Sequence, residues 1–88
     1  MKLKYNFLVK EIAGNKVAVA VGKDHTAFCG MINLNETAAF LFQLLKNDIT
    51  ENELVLRLTE SYEVDTNTAK LAVDSFVSSL RESGVLLE

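Results

Sequence analysis

The stretch Gly30-Met31-Ile32-Asn33-Leu34-Asn35-Glu36-Thr37-Ala38-Ala39-Phe40-Leu41-Phe42-Gln43-Leu44-Leu45 is where the chain changes its period. Up to Ile32, β-branched and aromatic residues fall in short runs broken by glycine, which is strand-like. From Asn35 onward apolar residues recur at three and four, as Ala38, Leu41, Phe42 and Leu45 do, which is helical. Asn35 sits where a side-chain oxygen can take an orphan amide of the first turn, and Glu36 complements the helix dipole. The spacing therefore predicts a strand over residues 26–32 and a helix over residues 36–46, with Gly30 at a bulge or a close approach.

Toward the N-terminus two further strands are predicted, residues 7–12 and 16–21, joined by a turn at Ala13-Gly14-Asn15. Val17, Val19 and Val21 alternate and share one face. Gly22-Lys23-Asp24-His25 reads as a second turn. Toward the C-terminus, Thr50-Glu51-Asn52-Glu53 has the form of a capping box and predicts a helix from residue 51 to about 62, with Leu54, Leu58 and Val55 inward. Asp65 caps a third helix to about residue 83, with Ala69, Ala72, Val73, Phe76, Val77 and Leu80 on one face and Gly84 as its stop. The tail Val85-Leu86-Leu87 is expected to pack back. The order is β-β-β-α-α-α: an α+β fold, a three-stranded antiparallel sheet followed by three helices. The last two helices form a helix-turn-helix pair, a winged-helix-like arrangement.

Length and composition bound the function. The 88 residues make one domain, with 49 % hydrophobic residues to build its core and a net charge of only −3. That balance argues against disorder and against a trap for polyanions. One cysteine closes no intramolecular disulfide, and one histidine beside it assembles no Cys/His zinc set. No apolar run is long enough for a signal core or a membrane span, so a cytoplasmic protein with no membrane partner is expected.

Candidate chemistry is sparse. His25 and Cys29, four apart, suggest a nucleophile and its base, but no third group orients the imidazole, and a free cysteine more often behaves as a small hydrophobe. Glu60, Glu63 and Asp65 lack the oxygen-rich glycine loop of a hard-cation site and read as a solvated, capping face. Gly22 and Gly30 are too isolated to cradle phosphate. No catalytic constellation, metal or cofactor is expected. The helix-turn-helix pair makes a winged-helix nucleic-acid binder the alternative, yet in the third helix Lys70 and Arg81 are balanced by Asp74 and Glu82, so nucleic acid is not the expected partner. Phe28, Phe40, Phe42 and Phe76 serve a core or a ligand cavity. Of these, Phe40 lies off the helix-one stripe with Leu44, where a partner can reach it. A homodimer pairing exposed strands is a third reading, beside a monomer.

The run Leu34-Asn35-Glu36-Thr37 with a small residue and the pair Leu41-Phe42 resembles the signature of the PqqD family. The resemblance continues through Thr50-Glu51-Asn52-Glu53-Leu54, the turn Tyr62-Glu63-Val64-Asp65, Phe76-Val77-Ser78-Ser79-Leu80 and Gly84-Val85-Leu86. Phe42 stands where the family often has tryptophan, and the arginine-proline common near the family's N-terminus is missing from this proline-free chain. The resemblance implies a RiPP recognition element, a peptide chaperone in pyrroloquinoline quinone biosynthesis or a related pathway. Such a module binds the leader of a ribosomally made precursor peptide and presents it to a radical S-adenosylmethionine maturase. The edge it selects is the third strand, with Thr26, Ala27, Phe28, Cys29 and Met31. Val73, Phe76, Val77 and Leu80 of the third helix are nominated as the groove wall, a set that serves equally well as plain core. Lys70 or Arg81 would pair with acidic leader residues at the rim.

Overall fold

The structure, a computed structural model, describes residues 1–22 and 30–88. Its elements run β1 (Lys2–Leu3), β2 (Phe7–Ile12), β3 (Asn15–Ala20), β4 (Met31–Leu34), α1 (Glu36–Leu44), α2 (Glu51–Ser61), α3 (Thr66–Glu82) and β5 (Leu86–Leu87). The fold is α+β: an antiparallel sheet of order β2-β3-β4, three helices on one of its faces, and a second small sheet in which β1 pairs with β5.

The β2-β3 hairpin closes on the pair Ile12 and Asn15 through a two-residue turn. Ala13 and Gly14 both have positive φ, 52° and 83°, the geometry whose twist matches that of the strands. β3 thus starts one residue earlier than the sequence suggests. The valine face of β3 is turned away from the helices, while Ala18 and Ala20 face them and are buried. Small residues are needed there because Phe7 and Phe42 fill the space, packed edge to face with ring centroids 5.3 Å apart.

β4 begins at Met31 and runs on to Leu34, two residues past the expected end, because Ile32 and Leu34 keep the inward alternation until Asn35 caps α1. The earlier part of the expected third strand, with Thr26, Ala27, Phe28, Cys29 and the neighbouring His25, lies outside the described residues. The strand pair β1-β5 was not expected, since two residues are too few to show a period. It is held by Lys2–Leu87 and Leu3–Leu86 pairing, and the Lys4 amide donates to the Val85 carbonyl at 2.7 Å.

All three predicted caps form. The Asn35 side chain accepts from the Ala38 amide at 2.8 Å, Thr50 Oγ1 from the Glu53 amide at 3.2 Å, and Asp65 Oδ1 from the Thr68 amide at 2.7 Å. At Thr50 the reciprocal contact runs through the hydroxyl, which donates to Glu53 Oε1 at 3.4 Å. α3 stops at Gly84, φ 72°, where the Gly84 amide donates to the Arg81 carbonyl and the Val85 amide to that of Leu80. This turn drops Val85 fully into the core and aims the tail at β1. α1 ends two residues short of the expected Lys46. The Leu45 amide is shared between the Leu41 and Phe42 carbonyls at 3.2 Å each as the last turn tightens.

Leu41, Phe42 and Leu45 of α1, Leu54 and Leu58 of α2, and Val73, Val77 and Leu80 of α3 form one core with Phe7, Ala18, Ala20 and Leu34 of the sheet. No polar or charged residue is buried with them among the described residues. Burial of apolar area therefore holds this domain together, at roughly 25 cal/mol per Å² removed from water.

Candidate functional site

Among the described residues the sheet has two outer strands, β2 and β4. The Val21 amide donates to the Asn6 carbonyl at 3.0 Å, which sets the phase of the ladder. With the register Ala18–Ile32 and Lys16–Leu34, it follows that Ile32 and Leu34 bond inward to β3. Met31 and Asn33 therefore turn their amides and carbonyls to the outer edge. Both side chains are exposed, Met31 at 61 %.

Where β4 gives way to α1, an open cavity of about 300 Å³ lies between α1 and α3. Asn35, Thr37, Ala38 and Leu41 line it from the α1 side, and Ala72, Ser75, Phe76 and Ser79 from α3. Phe76 is half-buried and is the one ring in this lining. Small residues on both helices keep the cleft open, since a larger side chain at Ala38 or Ala72 would project into it.

Of the expected site residues, Met31 lies on the β4 edge and Phe76 lines the cavity. Val73, Val77 and Leu80 are at most 1 % exposed; they take the core alternative and stand on the α3 face that packs against α1, α2 and the sheet. Thr26, Ala27, Phe28 and Cys29 lie outside the described residues. The sequence reading missed Asn33 and the cavity's small residues. The signal for the latter was present: Ala72, Ser75, Phe76 and Ser79 repeat at three and four as a second stripe beside the core stripe.

Two charged side chains, one at each end of α3, are committed to structure. Arg81 donates through Nε and Nη2 to the Glu88 carboxylate, at 2.9 and 2.7 Å. This pairing holds Glu88 below the usual carboxylate range and raises Arg81. Arg81 thus ties the tail to α3 and is not a spare rim cation. Asp65 is held low mainly by the Thr68 backbone amide, as a capping carboxylate. Among the described residues no group of three or more His, Cys, Asp or Glu could hold a metal ion, and no helix is long and apolar enough to cross a membrane.

The family model for coenzyme PQQ synthesis protein D (PqqD) matches residues 16–86, most of the chain. The chain belongs to the PqqD family. No curated protein matches it. Two solved structures share this PqqD fold over nearly their full lengths. One, described as TbiB1 in complex with the TbiA(beta) leader peptide, is 19 % identical with a TM-score of 0.72, over 98 % of this chain and 94 % of that one. The other, described as lasso peptide synthetase B1 complexed with the leader peptide, is 26 % identical with a TM-score of 0.70, over 99 % and 96 %.

Proposed function

We propose that this PqqD-family domain is a non-catalytic peptide chaperone. It binds the leader of a ribosomally made precursor peptide as an added strand and presents it to a modifying enzyme in the cytoplasm. The observation that carries this reading is the β4 edge, unpaired among the described residues, with the outward backbone groups of Met31 and Asn33 running into the Phe76-lined cavity. An added strand takes affinity from backbone bonds and specificity from pockets for alternate side chains, and β4 with this cavity offers both. The leader-bound state of the two similar solved structures supports it. In this reading Thr26, Ala27, Phe28 and Cys29 contribute beside Met31, while Val73, Val77 and Leu80 hold Phe76 in place from behind.

The family resemblance favours a radical S-adenosylmethionine enzyme as the partner and pyrroloquinoline quinone or a related peptide product as the outcome. A second reading, that the enzyme belongs to a lasso-peptide pathway, is favoured by the similar structure described as a lasso peptide synthetase.

The test is calorimetric titration with synthetic leader segments from short open reading frames encoded beside the gene, on the wild type and on Met31→Pro. The Met31 amide points outward, so proline there removes a donor to an added strand without removing a ladder bond. Saturable one-to-one binding that Met31→Pro weakens at least about tenfold, with the variant folded, is expected. Native affinity in a folded Met31→Pro variant would overturn strand addition at this edge.

A further inference from the structure

The opposite edge of the sheet has its own cleft, which the leader-binding reading does not use. By the same ladder phase, Leu8, Lys10 and Ile12 bond inward to β3, and Val9 and Glu11 turn their backbone groups outward. Beneath them, between the hairpin and α1, lies a cavity of about 380 Å³ with Val9, Ala39, Phe40 and Tyr62 as its apolar lining and the charged Lys16 and Glu36 beside them. Phe40, the aromatic off the α1 core stripe, is half-buried there and packs edge to face on Tyr62 at 5.4 Å. The side chains of a strand added at this edge that share the face of Val9 would enter this cleft.

Lys10 decides what such a strand can be. A lysine in mid-edge blocks indiscriminate pairing. A second copy of this chain offers it no complementary charge. Antiparallel pairing of two β2 edges must place odd residues opposite odd ones, so Lys10 would face Leu8, Lys10 or Ile12 of the other copy and never Glu11. A strand with an acidic residue opposite Lys10 meets it with complementary charge, and the next residue, opposite Val9, then points into the cleft beside Val9 and Phe40. We infer that the β2 edge is a second strand-addition site, for an extended segment of a different protein in which an acidic residue is followed by a large apolar one.

The probe is the capped peptide Thr-Thr-Val-Lys-Glu-Phe-Thr-Val-Thr, with a control in which Lys and Glu are exchanged, titrated into the ¹⁵N-labelled full chain. Amide shifts are expected at Val9, Glu11, Ala39 and Phe40, with the control binding about fivefold more weakly. Lys10→Glu should reverse that preference. Phe40→Ala should weaken the peptide, and the spectrum reports whether each variant is folded. Shifts confined to Met31 and Asn33, no shifts at all, equal binding of both peptides, or a concentration-dependent dimer that Lys10→Glu abolishes would each overturn the inference. Because β4 amides report separately, none of these results decides leader binding.

Discussion

Phe7 of β2 and Phe42 of α1 meet edge to face at 5.3 Å, and this pair joins the sheet to the helices. Phe42 has no exposed surface and Phe7 only 7 %. Truncating either opens a cavity that the small residues Ala18 and Ala20 cannot fill. Phe42→Ala is expected to cost about 3–5 kcal/mol, a large part of a small domain's stability, whereas Phe42→Leu costs less. Urea unfolding of both variants checks this, and equal midpoints for Phe42→Ala and the wild type would refute it.

Ala13 occupies the left-handed region at φ 52°, where a Cβ is strained, at the first position of the hairpin turn. Asparagine tolerates that region and forms the preferred Asn-Gly pair with Gly14. Ala13→Asn should therefore stabilise the domain by about 0.5–1 kcal/mol. A thermal midpoint unchanged or lowered would show that the turn is not under this strain.

Asp65 caps α3 with its carboxylate held low, chiefly by the Thr68 amide. Its folded value lies below the ordinary 3.8, so its contribution is fully present above that value and is lost as pH falls through the folded one. Asp65→Asn keeps a capping oxygen but does not titrate. The stability difference between wild type and Asp65→Asn should be flat above about pH 5 and shift against the wild type as acid is added below that. Parallel curves down to the acid limit would show that the cap does not depend on charge.

Phe76 and Leu80 lie one turn apart on α3 but face different environments, the first the open cavity and the second the core at 1 % exposure. Leu80→Ala is expected to cost about 2–5 kcal/mol. Phe76→Ala should cost less stability and more leader affinity. Denaturation midpoints set beside calorimetric affinities separate the two, and loss of affinity from Leu80→Ala alone in a folded variant would reverse the assignment.

Much of this was legible along the chain because it is local. Caps at Asn35, Thr50 and Asp65 act within three residues, so their residue types alone announce the helices. Gly84 likewise marks the end of α3 through a turn that closes within five residues. The resemblance to the PqqD family rests on the same local order, and the family match bears it out.

What pattern alone left open was which of two adjacent stripes faces inward. α3 carries Val73, Val77 and Leu80 beside Ala72, Phe76 and Ser79, and a helix with two adjacent stripes has no preferred phase until its neighbours arrive. Packing against Leu41, Leu54 and Leu58 buried the first set and left Phe76 at the cavity. Pairing of Lys2 with Leu87 was likewise beyond the sequence, since two residues carry no period and the partners are 85 positions apart. The chain by itself determined its helices, its hairpin and its family; tertiary structure decided which faces are core, which edges are free and where the clefts lie, because those depend on contacts between elements that no local spacing encodes.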